Sequence, residues 1–257
     1  MEKLTADNTD KFSGKAENYD KYRQNYSIEI LDCFRDYNFN ENSVIADIGS
    51  GTGKLAKIFL EKGNTVYAVE PNDNMRNMAV SALKDFKNFA PVKGSAEDTS
   101  LQNKTMDFVT VGQAFHWFDA QKALDEFKRI LKNSGVLALI WHNRKTNSVF
   151  MQEYENFLRE NFPNYNEKNH RDISGDISDE KNKKYFSKDY KKVIMENIRE
   201  LNFAEFFGGF LSASYSPKEY TKEYYKSRKI LKNMFNKFDT NNKVTFEYET
   251  IVYIGRI

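Results

Sequence analysis

The feature that most limits what this chain can fold into is a glycine-studded turn set between a short apolar run and a helix. Val44 to Glu70 reads VIADIGSGTGKLAKIFLEKGNTVYAVE. Val44 to Asp47 is a β-branched run of strand length, Leu55 to Leu60 is helical, Gly63 is placed to end that helix, and Thr65 to Glu70 is strand-like again. A strand, helix and strand in such close succession form a βαβ unit, with parallel strands and helices covering the sheet. In open parallel sheets ligands bind beyond the carboxyl ends of the strands, near the point where strand order reverses. Gly49, Gly51 and Gly53 lie at that end, where a backbone without Cβ atoms turns tightly and the next helix offers free N–H groups.

The alternation continues downstream. Pro71 ends the second strand, and Met75, Met78, Ala79, Ala82, Leu83 and Phe86 recur at helical spacing. Phe89 to Val92 and Met106 to Val111 read as strands, Ala120 to Leu131 as a helix, and Gly135 to Trp141 as a buried strand. After Trp141 the pattern changes. Phe150 to Phe162 is helical, Tyr165 to Ser187 is polar and loop-rich, and Tyr190 to Leu201 is ambiguous, with its first half read as strand. Phe203 to Leu211 and Pro217 to Phe238 are two further helices, the second with Ser216 as cap and Pro217 at the first helical position. Lys243 to Arg256 alternates most strongly of all, as a terminal antiparallel strand does.

Three cofactor classes use glycine loops of this kind. The dinucleotide pattern G-x-G-x-x-G counted from Gly49 requires glycine where Lys54 stands; counted from Gly51 it meets Ala56, a variant sometimes allowed. NAD is disfavoured. A phosphate-binding P-loop has Gly53-Lys54 in its favour, but Ile48 and Leu55 occupy its other diagnostic positions. What remains is D-x-G-x-G-x-G, from Asp47 to Gly53.

With that loop the sequence resembles the class I S-adenosylmethionine-dependent methyltransferases. The resemblance runs from about Tyr19 to Arg144, through Gly94-Ser95-Ala96-Glu97-Asp98, Asp107-Phe108-Val109, Gln113 to Phe118 (QAFHWF) and Leu124 to Leu137 (LDEFKRILKNSGVL). The last of these is typical of the type-11 branch, and the closest flavour is the small-molecule group that includes trans-aconitate methyltransferase-like proteins. The resemblance implies a Rossmann-like α/β fold: a seven-stranded, mostly parallel sheet with helices on both faces, an antiparallel last strand and a helical cap. It implies S-adenosylmethionine as cofactor, with the Asp47, Gly49, Ser50, Gly51 and Gly53 loop and Pro71 around it, and with Glu70 accepting hydrogen bonds from both ribose hydroxyls. It also implies that Ser95, Ala96 and Glu97 face adenine, with Ser95 where the family usually has aspartate, and that Gln113 contributes from the fourth strand. Asp47 either binds the cofactor amino group or holds the loop, and Met75 either lines the adenine site or is core. Tyr19, Tyr22 and Arg23 either close over the cofactor carboxylate or pack as an ordinary helix.

Methyl transfer from a sulfonium is an in-line displacement, served by alignment and exclusion of water, so a base is needed only when the acceptor is neutral. His116, flanked by Phe115 and Trp117 after the fourth strand, is the candidate base or acceptor-positioning group; the competing reading is a structural histidine among aromatics. Trp117, Tyr22 and Arg23 join it as candidate acceptor-site residues. Arg144 either holds an acidic acceptor bidentately or makes a surface ion pair. No histidine pair or carboxylate cluster has metal-ligand spacing, so no metal is expected.

Composition limits the partners. Lys plus Arg number 39 against 37 Asp plus Glu, so the chain offers no general field for a nucleic-acid backbone. The aromatic stretches Phe203 to Tyr215 and Tyr220 to Tyr225 suit a cap over a small organic acceptor, possible acids included, with RNA methylation and non-catalytic cofactor binding as the rival readings. Cys33 is the single cysteine, which excludes an internal disulfide. The opening residues MEKLTADNTDKF carry no signal-like apolar stretch, and Val136 to Trp141 is too short to span a bilayer; a cytoplasmic protein, monomer or homodimer, is expected. The domain reading is a helical segment over the cofactor site (1–42), a cofactor-binding core (43–146), a cap or insertion with one core strand near 190–200 (147–240), and a terminal core strand (241–257).

Overall fold

A computed structural model of the chain describes residues 21–22, 25–163, 165, 185–187 and 190–257. Seven strands form one sheet: β1 (Val44–Ile48), β2 (Thr65–Val69), β3 (Phe89–Val92), β4 (Met106–Gly112), β5 (Leu131–Arg144), β6 (Lys191–Leu201) and β7 (Val244–Gly255), in the order β3-β2-β1-β4-β5-β7-β6. β1 to β5 are mutually parallel, and β7 runs antiparallel between β5 and β6. This is the Rossmann-like mixed sheet, antiparallel at its end, that the resemblance implies. The chain leaves β1 outward to β2 and β3, then returns to place β4 on the other side, so the strand order reverses between β1 and β4.

Among the described residues, the helices that accompany the sheet include α1 (Lys54–Leu60), α2 (Asp73–Leu83), α3 (Ala120–Ile130), α4 (Val149–Asn161), α5 (Phe203–Leu211) and α6 (Lys222–Phe238). A tight 3₁₀ segment, Ile28–Tyr37, precedes β1, and its buried Ile30 and Phe34 pack on the same sheet face as α1. Alternation along the central strands divides the core. Ile45, Phe108, Val136, Ala138, Ile140 and Val252 face the α1 side, whereas Ala46, Val109, Leu137, Leu139, Trp141 and Tyr253 face α3. Burial on both faces explains why these strands read as near-continuous apolar runs.

A third apolar cluster lies at the carboxyl end of the parallel strands. α4, α5 and α6 bring Phe150, Tyr154, Phe206, Phe210 and Phe235 onto Val244 and Phe246 at the start of β7. α5 starts with a capping box in which the Asn202 side chain accepts from Glu205 N and the Glu205 side chain accepts from Asn202 N. The same hairpin, β6 with β7, therefore belongs at one end to the sheet and at the other to this aromatic cap.

Two segments differ from the sequence reading. The whole of Lys191–Leu201 is strand, beyond the first half that the pattern favoured. α6 begins at Lys222, with Thr221 Oγ1 accepting from Tyr224 N. Ser216 is instead committed to the preceding turn, its hydroxyl donating to the Leu211 and Ala213 carbonyls.

Candidate active site

The glycine loop sits at the reversal between β1 and β4 and is held there by backbone bonds. Gly49 N and Ser50 N both donate to the Val69 carbonyl, at 2.9 and 3.1 Å, which ties the loop to the end of β2. Gly49 has φ +67°, and a Cβ there would lie 2.7 Å from the Ala114 Cβ; Gly53 has φ +83°, and a Cβ there would lie 2.6 Å from Leu83 Cδ1. A side chain at Gly49 would collide with the segment that follows β4, and one at Gly53 with the Leu83 side chain of α2. At Gly51 a Cβ would meet nothing within 4 Å, so the middle of the loop faces open space.

Two buried carboxylates flank the loop. Glu70, 8% exposed, accepts from Gly51 N through Oε2 and from Asn72 N through Oε1, both at 2.9 Å. Burial pushes its carboxyl up, against the opposing pull of these two N–H groups. Asp47, 1% exposed, accepts from the Thr110 hydroxyl through Oδ1 at 3.1 Å. Its Oδ2 is buried and makes no hydrogen bond among the described residues, as do the hydroxyls of Ser50 and Thr52. Burial pushes the Asp47 carboxyl up to about 7, the Thr110 hydroxyl and the Ala56 backbone N–H opposing it and the nearby Glu70 adding to it. Polar atoms left with spare hydrogen-bonding capacity among the described residues around one loop suit a polar ligand, and a buried carboxylate suits a cationic one. S-adenosylmethionine, with its ammonium and ribose hydroxyls, meets those demands.

The 95–99 turn has its own scaffold. The Ser95 hydroxyl accepts from Glu97 N and Asp98 N, Ala96 is buried, and Glu97 Oε1 accepts from Asp119 N at 2.9 Å. The turn is fixed from behind by Glu126 of α3, which accepts from both Thr99 N and the Thr99 hydroxyl and pairs with Arg129. Burial pushes the Glu126 carboxyl up, but the Arg129 and Thr99 bonds outweigh it and hold the group at about 2. Met75 is buried near the start of α2, its N–H donating to the Asn72 cap, and Pro71 precedes that cap.

A cleft of about 1160 Å³, its open mouth included, runs from the glycine loop to the cap. Asp47, Gly49, Ser50 and Gln113 line it at the loop end, and Tyr22, Arg144, Tyr154, Tyr165, Tyr215 and Tyr248 are among the residues lining the rest. Gln113, at φ +58°, donates through Nε2 to the His142 carbonyl. His142 also lines the cleft, with Nδ1 2.9 Å from the Thr250 hydroxyl and its ring 4.5 Å from that of Tyr26. His116 and Trp117 are not among the lining residues. Their rings contact each other at 4.7 Å, and His116 rests 5.4 Å from Trp141, on the α3 side of the sheet. Glu70, Pro71, Met75, Ser95, Ala96 and Glu97 also lie outside the lining, with Glu70 joined to the loop through Gly51. Tyr19 and Arg23 lie outside the described residues.

Arg144 is the charged group at the cap end. Its side chain is 18% exposed and lies over the rings of Tyr154 and Tyr165, at 5.5 and 5.7 Å. Its Nη2 donates to the Tyr165 hydroxyl at 2.9 Å; that hydroxyl faces the Glu155 carboxylate at 2.7 Å, and Glu155 in turn lies 3.8 Å from Arg144 and 3.2 Å from Arg159. The surface ion pair entertained from the sequence is thus a partly buried network. Tyr22, Arg144 and the Phe203 to Tyr215 stretch, which the sequence offered for the acceptor, do line the cleft, whereas Tyr26, His142, Tyr165 and Tyr248 join it from separate segments that no local pattern linked. Among the described residues no group of histidine, cysteine and carboxylate side chains is arranged to hold a metal ion, and no helix is long and apolar enough to cross a membrane.

Comparison with known proteins shows what this geometry is similar to. Residues 46–139 match the family model described as a methyltransferase domain. An uncharacterised methyltransferase of Schizosaccharomyces pombe is 37% identical over 133 residues, 51% of each chain, and one of Mycobacterium bovis is 32% identical over 135 residues, 52% of this chain and 53% of that one. The chain thus spans about half the length of the curated relatives it matches. Among solved structures, one named for a type II methyltransferase of Anaeromyxobacter dehalogenans superposes with a TM-score of 0.63 at 18% identity, over 91% of this chain and 98% of that one. The Haemonchus contortus phosphoethanolamine N-methyltransferase 2, in complex with phosphomonomethylethanolamine and S-adenosylhomocysteine, superposes with a TM-score of 0.57 at 14% identity, over 100% of this chain and 61% of that one. At those identities the structures speak to the fold. Residues 46–139 are thus similar to a methyltransferase domain, and the sheet they belong to has the Rossmann-like fold of the solved methyltransferases.

Proposed function

We propose that this chain transfers a methyl group from S-adenosylmethionine to a small organic acid bound under the cap. The observation that carries the proposal is the single cleft that joins the Asp47 end of the glycine loop to a partly buried arginine among tyrosines. S-adenosylmethionine supplies a methyl group already activated on a sulfonium. The protein has to align and desolvate it. Asp47 would hold the ammonium, Glu70 the two ribose hydroxyls, and the 95–99 turn the adenine, which fixes the direction of attack. The aromatic cap keeps water from the reacting atoms, and His142, at the carboxyl end of β5, stands where an acceptor proton would be received.

The test has two stages. Calorimetry with S-adenosylhomocysteine and, separately, NAD decides the cofactor, and NAD binding without S-adenosylhomocysteine binding would sink the proposal. A screen of small metabolites with methyl-labelled S-adenosylmethionine then identifies the acceptor; label appearing in RNA alone would overturn the small-molecule reading.

A further inference from the structure

Resting on that function, the register of the sheet says where the acid of the acceptor lies relative to the atom that is methylated. Asp47 on β1 is level with Thr110 on β4, and Thr110 with Ala138 on β5. Arg144 stands six residues beyond Ala138 on the same strand. At roughly 3.3 Å per residue this is about 20 Å along the strand, with a further ~10 Å for the two strand spacings from β1 to β5. The Arg144 side chain, moreover, is directed into the cap, onto Tyr154 and Tyr165 of the chain following β5. That backbone separation, together with a side chain turned into the cap, sets Arg144 apart from Asp47 at the other end of the cleft. Between the two ends lie Gln113 and His142.

We infer that Arg144 and its tyrosines anchor an anionic group of the acceptor that is not itself methylated, so that the acceptor is bifunctional: a carboxylate or phosphate at one end and a separate nucleophile, several bonds away, beside His142. The guanidinium suits this because it stays charged at any working pH and offers planar, paired donors, while the tyrosine rings remove water from around it. Glu155 and Tyr165 act as positioning residues: the carboxylate is shared among Tyr165, Arg159 and Arg144, and so orients the guanidinium. Arg199 and Glu205 also line the cleft, one charge of each sign, and Glu205 is engaged with Asn202 N at the start of α5. The source of the anion, carboxylic acid or phosphate ester, is left to the probes.

Calorimetry on the whole chain with hexanoate, benzoate and hexyl phosphate, each against neutral hexanamide, tests the anchor. At least one anion should bind about tenfold or more tighter than the amide; Arg144→Gln should abolish that preference and Arg144→Lys should retain part of it. S-adenosylhomocysteine affinity should stay within about twofold in both variants, which also reports that they fold. No anion preference in the wild-type chain, or a loss of S-adenosylhomocysteine affinity in a folded Arg144→Lys protein, overturns the inference. The methylated atom is read from the products formed from a metabolite extract with labelled S-adenosylmethionine. Every labelled product should still carry a free acidic group, and a product whose only acid has become a methyl ester overturns the inference. If S-adenosylhomocysteine binds and no product forms, the methyl-transfer reading fails, while the anion preference stands or falls on the calorimetry alone.

Discussion

Replacing Asp47 by asparagine should uncouple cofactor binding from protons. In the free protein the Asp47 carboxyl, held up by burial, titrates near 7, and its Oδ2 makes no hydrogen bond among the described residues. A cofactor ammonium placed against it favours the ionised form, so binding should expel whatever proton is there. With a free-state value of about 7, roughly three-quarters of a proton leaves at pH 6.5 and about a tenth at pH 8, and affinity rises about tenfold between pH 6 and pH 8. Titrating S-adenosylhomocysteine in phosphate and in imidazole, which both buffer near pH 6.5 and whose ionisation enthalpies differ, measures the proton count directly. Asp47→Asn should bind more weakly, with no difference between buffers near pH 6.5. If the wild-type chain releases no proton there, or if the variant releases as many, Asp47 is not the ammonium's partner and only holds the loop through Thr110.

The other predictions concern the loop, its supports and acid stability. Glu70→Ala should lose two charge-assisted hydrogen bonds to the ribose, about 1.5 to 3 kcal/mol each, measured as a drop in S-adenosylhomocysteine affinity; unchanged affinity would remove Glu70 from the site. Gly53→Ala should cost more stability in urea than Gly51→Ala. Both place alanine at positive φ, at about 1–2 kcal/mol, but only the first drives a methyl group into Leu83. Equal losses would mean the loop relaxes freely. Glu126, held at about 2, contributes stability above its ordinary unfolded value that is lost as pH falls towards 2, about 3 kcal/mol in all. Asp47 has the opposite sign: its raised value favours the folded, ligand-free chain at about pH 4 and is lost as pH rises through 7. Unfolding of Glu126→Gln should therefore lose the acid-side slope, and that of Asp47→Asn the slope between about pH 4 and 7.

The parallel half of the fold was readable because β1, β2, β4 and β5 are buried on both faces, which leaves unbroken apolar runs punctuated by helix patterns. β6 was ambiguous for a physical reason. It is the edge strand, and Ile194 and Ile198 on its exposed face, beside half-buried Val193 and Met195, mimic helical spacing. Ser216-Pro217 looked like a helix start because the residue types are right. What decides the start is the Tyr220 backbone, at φ +65°, which delays the helix until Thr221 can cap it. The glycine loop and Glu70 are local in sequence and were legible as a motif, whereas the bond from Gly51 N to Glu70 appears only once β1 and β2 are paired. The acceptor end depends on tyrosines scattered from Tyr22 to Tyr248, which no spacing rule assembles; the sequence placed His142 beside Arg144 at the same edge of the sheet but gave the candidate base role to His116, and the folded sheet puts His142 in the cleft.

The position of β7 bears on how the chain reaches this structure. It follows every other strand in sequence, yet it lies between β5 and β6, hydrogen-bonded to both, and supplies the cap with Val244 and Phe246. Until it is inserted, β6 has no neighbour in the sheet, β5 presents a bare edge and the cap helices lack part of their floor. Maturation of the acceptor pocket is thus a late, long-range event, and a nascent chain stalled before residue 244 should be a target for chaperones, with a sticky β edge and a glycine loop already made.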